Sequence, residues 1–222
     1  LAEAEVEYHD HTSHQVWVRF PTMGIDAAYQ RTKPDLDHRK GTATPNTFAT
    51  EVLERRLSSD LFKDGVSVVI WTTTPWTIPQ NRAVAFNPAI AYGLYEVSVV
   101  AENSSAIVGE KVLLADQLAN GFFASARVES FRRLRDVATD EFDGVHLAHP
   151  FRGTKDAEGK QVTEWDYDVP MLPGDHVTDD AGTGFVHTAP SHGDDDYQLG
   201  LKFGLPMTYN VEPDGSYRAD LP

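Results

Sequence analysis

Three consecutive threonines, Thr72, Thr73 and Thr74, follow a run of β-branched residues and precede Pro75. Threonine hydroxyls both donate and accept hydrogen bonds, so this row could position a water molecule and bind a ribose or carbonyl oxygen. Pro75 fixes the backbone φ angle at the turn that follows. Threonine is also a favourable strand residue, so stabilisation of a strand end is the alternative interpretation.

A second polar segment, residues 182–197, combines His187 and His192 with a run of three aspartates that ends at Asp196. These side chains and the glycines around them favour a polar pocket. The same aspartates could instead form the acidic first turn of a helix, with both histidines on the surface. A divalent metal bound by the two histidines and one aspartate is a third interpretation, although the spacing matches no standard ligand set.

Several familiar catalytic patterns are absent from the sequence. There is no nucleophile elbow around a serine, no paired-histidine zinc motif and no phosphate-binding loop, and Gly182 and Gly184 lack the third glycine of a dinucleotide site. The chain has no cysteine, which excludes disulfides and thiolate metal sites. His9, His11 and His14 could bind a metal but more often form solvated surface. We therefore predict no metal and no cofactor.

Length and charge narrow the function further. The 222 residues favour a single domain over residues 1–222, and 41% hydrophobic residues suffice for a core. The net charge of −15 (19 basic against 34 acidic residues) disfavours nonspecific binding of nucleic acid. No run approaches about 18 apolar residues, so we predict no membrane partner. The absence of cysteine fits a reducing, cytoplasmic location, and no signal peptide is visible.

Hydrophobic periodicity predicts a mainly β protein, a barrel or sandwich with peripheral α-helices. Strands are predicted at residues 15–20, 66–71, 84–86, 92–100, 111–114, 126–131 and 185–188. Helices are predicted at 47–57, at 115–124 and after the aspartates that end at Asp196. Residues 35–45 read as an exposed loop and residues 152–164 as an inserted surface hairpin.

Five segments carry a family resemblance in their order along the chain: residues 1–8, 71–81, 174–178, 182–197 and 202–205. Together they resemble the editing domain inserted into the catalytic domain of isoleucyl-tRNA synthetases. The sister leucyl and valyl domains usually have Thr-Thr-Arg-Pro where this chain has Thr-Thr-Pro-Trp. They also tend to have His-Asp where this chain has His192 followed by Gly193. The two ATP-site signatures of the synthetases are absent, so the chain alone is not expected to aminoacylate tRNA.

The resemblance implies a closed, roughly six-stranded β-barrel with helices packed outside it. It implies hydrolysis of the valyl ester on the 3′ end of isoleucine tRNA, with valyl-adenylate as a second candidate substrate and with the rest of the synthetase in cis. Such a second site is needed because one methylene in a hydrophobic pocket is worth only about 1–3 kcal/mol, a magnitude known from isoleucyl-tRNA synthetases themselves.

The resemblance also implies roles for eight residues. Asp196 holds the α-ammonium of the substrate, and His187 excludes the extra methylene of isoleucine, with Trp76 as a further wall candidate. The hydroxyls of the threonine row bind the ester, the terminal ribose or the attacking water. Thr77 and Asn81, which lie near this loop, contact the adenosine. The catalytic set is then Thr72, Thr73, Thr74 and Asp196, and the substrate-binding set is His187, Thr77, Asn81 and Trp76.

Two other functions stay open at this point. The chain could be a sister editing domain that hydrolyses a different aminoacyl ester. It could also be a noncatalytic β-barrel module that docks a partner through its acidic loop. No general base is assigned, because an aminoacyl ester is already activated and a positioned water with a stabilised oxyanion can suffice.

Overall fold

The computed structural model describes residues 14–23, 61, 65–219 and 221. Nine strands run through these residues, and two α-helices, α1 (Ala119–Ser125) and α2 (Asp194–Phe203), accompany them. Short 3₁₀ helices cover Pro75–Gln80, Asp116–Leu118 and Thr139–Phe142. The strands are β1 (Val16–Pro21), β2 (Val66–Thr72), β3 (Ala83–Phe86), β4 (Tyr92–Val100), β5 (Lys111–Ala115), β6 (Val128–Val137), β7 (His146–Ala148), β8 (Asp168–Pro173) and β9 (Phe185–Thr188).

The strands form two mixed sheets. The first has the order β1-β2-β5-β4-β6 and the second the order β7-β8-β3-β9. In each sheet one pair is parallel, β2 with β5 and β3 with β8, and the other pairs are antiparallel. Both parallel strands in the first sheet carry apolar, β-branched residues on both faces, as expected for strands covered on each side.

One hydrophobic core lies between the two sheets. Phe20, Ile70 and Leu113 from the first sheet pack in the same cluster as Val84 and Phe185 from the second. A separate cluster lies where α1 packs against β6 and the neighbouring strands, and it includes the stacked rings of Phe123 and Phe131, whose centroids are 4.0 Å apart. The first core therefore holds together the two segments that carry the candidate site.

The expected closed six-stranded barrel is not found in the part of the chain that the structure describes. The two sheets meet at one side through a single bridge between Thr22 and Leu147. At another point the Ala115 N–H donates to the Thr183 carbonyl over 2.9 Å. Isolated contacts of this kind do not make a continuous ladder, which a closed barrel requires. The prediction of a mainly β fold is therefore confirmed, and the prediction of a closed barrel is wrong.

The close approach of the Gly182–Gly184 turn to Ala115 explains why position 184 is a glycine. Gly184 has φ of +81°, and a Cβ atom there would collide with the Cβ of Ala115. Only glycine adopts this backbone conformation at little cost while leaving room for β5. This glycine therefore allows β9 to leave the turn next to the first sheet, and its role is structural.

Most predicted strands are confirmed, and β4 has the predicted bounds. The aspartate-rich segment begins α2 as predicted, with Asp194, Asp195 and Asp196 in its first turn. The predicted helix at 115–124 is instead an extended residue, a 3₁₀ turn and α1. Two strands, β7 and β8, were missed. The predictions for residues 35–45 and 47–57 lie outside the described residues.

Residues 152–164 contain one antiparallel bridge, between Lys155 and Gln161, with backbone hydrogen bonds on either side of it. That this hairpin is an insertion stays a prediction. Its end is not peripheral, because Val162 and the following Trp165 are buried. Among the helices that the structure describes, none is long and apolar enough to cross a membrane.

Candidate functional site

The threonine row lies where β2 ends and the chain turns into the Pro75–Gln80 helix. Thr72 is buried, and its Oγ1 atom accepts a hydrogen bond from the Thr74 N–H over 3.0 Å and lies 3.1 Å from Thr74 Oγ1. Thr73 and Thr74 are exposed. The first hydroxyl thus shapes the turn, whereas the other two side chains face solvent and are available to a ligand.

Thr77, Asn81 and His187 form one buried hydrogen-bonded unit, here called the histidine clamp. The Nε2 atom of His187 lies 2.7 Å from Thr77 Oγ1, and its Nδ1 atom lies 3.0 Å from Asn81 Nδ2. The unit joins residues more than 100 positions apart in the sequence, because β3 pairs with β9 in register Val84–His187. Three predicted site residues are therefore brought into direct contact.

The partners of the clamp determine which ring nitrogen of His187 carries the proton. The Thr77 hydroxyl donates to the Thr74 carbonyl over 2.8 Å, so it must accept from His187 Nε2–H. Asn81 Nδ2 donates to the Ala83 carbonyl over 2.8 Å and uses its second hydrogen on His187 Nδ1. His187 is thus the neutral tautomer protonated on Nε2, and neither ring nitrogen is left for a ligand.

Burial keeps His187 neutral. Its pKa is lowered to about 4, chiefly by loss of solvation and also by the nearby His149 and His192. Protonation would also place an Nδ1–H against the amide hydrogens of Asn81, two donors facing each other. His187 therefore cannot act as a base at neutral pH in this arrangement, but its ring can form a fixed wall.

Asp196 lies in the first turn of α2 and faces the end of β9. Its Oδ2 atom accepts a hydrogen bond from the Ala189 N–H over 2.8 Å, two residues after His187. Burial raises the pKa of Asp196 to about 6, against the lowering effect of the Ala189 bond. A partly desolvated carboxylate with one backbone donor and no cation in its hydrogen bonds is a favourable partner for an incoming ammonium group.

The Pro75–Gln80 helix is held by side chains that sequence reasoning missed. Its carbonyls and that of Asn81 accept hydrogen bonds from ring atoms of four aromatic or imidazole residues. Two of these bonds are Trp165 Nε1–H to Pro79 O, at 3.1 Å, and Tyr167 O–H to Asn81 O, at 2.5 Å. The four donors are His149, Trp165, Tyr167 and Tyr217. For Trp165 and Tyr167 the sequence signal was their position directly after the hydrophilic segment 152–164, and the other two donors had none.

Five of the eight predicted residues lie outside the clamp, namely Thr72, Thr73, Thr74, Trp76 and Asp196. Trp76 is 49% exposed, and its carbonyl accepts from Tyr217. Thr73 is exposed at the turn. A cleft of about 380 Å³ opens beside the same 3₁₀ helix, but none of Thr72, Thr73, Thr74 and Asp196 lines it. The hollow expected between the threonines and Asp196 stays a prediction.

The metal interpretations gain no support from the described residues, in which no group of histidine and carboxylate side chains is arranged as a metal site. His9 and His11 lie outside those residues. Both ring nitrogens of His187 are used inside the protein, as shown above. That leaves His187 unable to ligate a metal without breaking the clamp.

Comparison with known sequences finds clear relatives. The isoleucine–tRNA ligase of Caulobacter vibrioides is 42% identical over 225 residues, which cover 98% of this chain and 18% of that protein. The ligases of Bradyrhizobium diazoefficiens and Ruegeria pomeroyi are 39% and 41% identical and are matched over 19% of their lengths, with the whole of this chain covered. The chain is homologous to a segment of isoleucine–tRNA ligases. It spans about a fifth of the length of these relatives. No family model matches it.

Solved structures show the same fold. The editing domain of the Plasmodium falciparum cytosolic leucyl-tRNA synthetase superposes with a TM-score of 0.51 at 13% identity, covering 90% of this chain and 71% of that one. A second crystal form of it gives 0.51 at 12% identity, over 92% and 72%. At such identities the likeness shows the fold alone. This homologue of isoleucine–tRNA ligases therefore has the β-rich fold of a synthetase editing domain.

Proposed function

We propose that this chain hydrolyses the valyl ester on the 3′ end of mischarged isoleucine tRNA, as the editing part of an isoleucine–tRNA ligase. The observation that carries the proposal is the histidine clamp, fixed two residues from the backbone N–H that orients the Asp196 carboxylate. The family and the fold supply the context. Valyl-adenylate, which carries the same aminoacyl group, is a second substrate under the same proposal.

Asp196 binds the α-ammonium of the aminoacyl group in this proposal. Its pKa of about 6 leaves it mostly ionised at neutral pH, at a cost in solvation that an ammonium partner would relieve. The Ala189 N–H fixes Oδ2, so the carboxylate has a set orientation before the substrate arrives. An ionic hydrogen bond of this kind fixes the amino acid and, through it, the position of the ester.

His187 excludes isoleucine by shape. Because Thr77 and Asn81 occupy both of its ring nitrogens, the imidazole offers a substrate only carbon atoms and their hydrogens. A rigid ring edge can stop a side chain that is one methylene longer, whereas a mobile side chain would yield to it. Within this proposal Asn81, which is fully buried, and Thr77 serve by holding His187, and the contact with adenosine first expected of them is not needed.

The hydrolytic water is positioned by the exposed hydroxyls of Thr73 and Thr74 at the turn after β2. His187 is excluded as the base because its pKa is low and because its Nδ1 atom already accepts a hydrogen bond from the Asn81 amide. Asp196 is a poor base while it neutralises an ammonium. Catalysis then rests on orientation of the water and stabilisation of the oxyanion, which suffice for an activated ester. A hydroxyl of the terminal ribose can relay the proton.

The test is a deacylation assay on the purified chain, without ATP, with four tRNA esters side by side. Valyl-, threonyl-, norvalyl- and isoleucyl-tRNA are offered at equal concentration. We expect release of valine well above the spontaneous rate and no enhanced release of isoleucine. Faster release of threonine or norvaline would indicate a sister specificity. No enhancement for any of the four would leave a noncatalytic binding module.

A further inference from the structure

The cleft of about 380 Å³ lies on the side of the Pro75–Gln80 helix formed by the C-terminal part of the chain. One wall is a small hairpin over residues 210–218, in which Val211 pairs with Tyr217 and the Arg218 N–H donates to the Asn210 carbonyl over 2.9 Å. The opposite wall includes Pro79, Arg82 and Trp165. Buried Gln80 ties the two walls together, because its amide hydrogen bonds with His192 and the Asn210 N–H in the orientation that satisfies both of its polar atoms.

The cleft is locally basic in an acidic protein. Arg82 and Arg218 both line it, against the single carboxylate of Glu164, while the whole chain has a net charge of −15. The Arg82 guanidinium is fixed over the Tyr167 ring, 4.3 Å from its centroid. Guanidinium groups held in this way present paired N–H donors to phosphate or carboxylate oxygens.

Two polar atoms of the lining residues are buried without a hydrogen-bond partner, Arg82 Nε and Thr208 Oγ1. An unpaired buried donor is unfavourable by about 1–3 kcal/mol, so such atoms usually have a partner. Both atoms belong to residues that line the same cleft. The arginine nitrogen can only donate a hydrogen bond, whereas the threonine hydroxyl can donate or accept one. Both atoms are enclosed by the protein, so they mark unsatisfied polarity in the wall of the cleft and are not themselves contacts for a ligand in it.

Aromatic rings border the cleft on its open side. Tyr209 lines it and is 51% exposed. Close by, Tyr217 donates to the Trp76 carbonyl over 3.0 Å, and both of these rings are also about half exposed. Exposed rings next to arginines are the combination with which proteins stack a planar base while holding its phosphate.

We propose that this cleft is a second binding site, separate from the ester site, for a nucleoside 5′-phosphate. The phosphate lies against Arg82 and Arg218, and the base stacks on Tyr209. Glu164, on the rim, accepts a hydrogen bond from an exocyclic amine or a ribose hydroxyl. The volume suits a ligand of this size, larger than an amino acid. The nucleotide is either free or part of a single-stranded RNA end.

Binding is measured by isothermal titration calorimetry on the whole chain, with four probes. These are cytidine 5′-monophosphate, cytidine, inorganic phosphate and a single-stranded RNA trinucleotide. We expect the monophosphate to bind at least about tenfold more tightly than cytidine or phosphate, because both parts of the site contribute. Tighter binding of the trinucleotide than of the monophosphate assigns the site to an RNA strand, and equal binding assigns it to free nucleotides.

Variants separate this site from the ester site. R218Q and Y209A should each weaken binding of the monophosphate by about tenfold, on the scale of one ionic hydrogen bond or one stacked base. R132Q is the matched control, since Arg132 lies on β6 in a surface pair with Glu96 and should change nothing. No binding of any probe, or binding that is lost in D196A and kept in R218Q, overturns the proposal. Neither result depends on whether the chain hydrolyses the ester.

Discussion

His187 of the histidine clamp lies on β9, and Asp196 on α2 bonds the Ala189 N–H two residues further along the chain, yet the clamp and the carboxylate differ in the hydrogen-bonding capacity they have left. In the clamp, every hydrogen of the Asn81 amide and both ring nitrogens of His187 are used inside the protein. Asp196 has one backbone donor, on Oδ2, and a pKa raised by burial. The His187 ring is electrically neutral with both nitrogens bonded, whereas the Asp196 carboxylate is charged and poorly solvated at neutral pH.

This difference assigns separate tasks to the two regions. The His187 ring, whose two nitrogens are both used inside the protein, can only position or block a ligand, so it supplies shape. A charge that is incompletely compensated gains most from a ligand, so Asp196 supplies affinity. The comparison predicts that variants of Asp196 lose the substrate, whereas variants of the clamp lose discrimination and stability.

The largest effect is expected from D196A. Removal of the ammonium partner should lower kcat/KM for valyl-tRNA by at least about 100-fold, on the scale of a lost buried ionic hydrogen bond. The matched control is D195A, one residue earlier in the same helical turn and exposed, which should stay within about twofold. If D196A and D195A lower kcat/KM equally, Asp196 is not the residue that binds the ammonium group.

A folding control goes with this prediction. Because the pKa of Asp196 is raised in the folded chain, ionisation at pH 7 disfavours folding, and D196N should unfold at the same temperature as the wild type or a higher one. Thermal unfolding at pH 7 checks this. A loss of activity that came with a lower unfolding temperature would indicate disruption of the fold.

The pH dependence of stability tests the neutral clamp. The pKa of His187 is about 4 in the folded chain, below the ordinary 6.5, so the unfolded chain binds the proton first as the pH falls. Stability from this residue is complete above pH 6.5 and declines by roughly 3 kcal/mol by pH 4.

Other groups titrate in the same range, so the effect of His187 is isolated by comparing the wild type with H187Q. His149, also with a pKa of about 4, acts in the same direction, whereas Asp196 gains stability as the pH falls below about 6. Chemical denaturation of wild type and H187Q from pH 7.5 to 4.5 isolates the share of His187. Parallel curves for the two proteins would show that His187 is not held neutral.

The next largest effect is expected on the discrimination between the valyl and isoleucyl esters. H187A removes the fixed ring edge, and hydrolysis of isoleucyl-tRNA should rise relative to valyl-tRNA by about 10-fold to 100-fold, the range that one methylene is worth in such pockets. Hydrolysis of valyl-tRNA itself should fall far less than in D196A. A variant that still spares the isoleucyl ester would remove His187 from the discriminating wall.

The smallest effect is expected from T77V. It keeps the shape of the side chain but leaves the His187 Nε2–H without an acceptor, and we expect a loss of about 1–3 kcal/mol in the free energy of unfolding. T73V, at an exposed position of the same loop, should change stability by less than about 0.5 kcal/mol. Urea denaturation compares the two. Equal stability of both variants would contradict the clamp geometry.

Local patterns were enough for much of the fold. The alternating, β-branched runs predicted β2 and β4, and the aspartates predicted the start of α2, because these signals lie within a few residues. β8 was missed because it contains two prolines, Pro170 and Pro173, which usually argue against a strand. Closure of the barrel was predicted wrongly because contacts between sheets leave no local signal.

The candidate site shows the same limit. The family resemblance, and not a local pattern, implied that Asn81 and His187 touch the substrate, and that contact stays a prediction. Their mutual contact depends on the pairing of β3 with β9, and the carbonyls of Asn81 and Pro79 accept hydrogen bonds from Tyr167 and Trp165 of a distant segment. Long-range pairing of this kind leaves no local signal, so the support that Asn81 gives to His187 could not be predicted.

The most direct test of the account is a crystal structure of the chain with a nonhydrolysable valyl-adenosine analogue. We expect the α-ammonium within about 3 Å of an Asp196 carboxylate oxygen, as in an ionic hydrogen bond. The valyl side chain should lie against a carbon edge of His187, with the bonds to Thr77 and Asn81 intact. An analogue bound away from Asp196, or a His187 ring turned to give a nitrogen to the ligand, would contradict the division between the two regions.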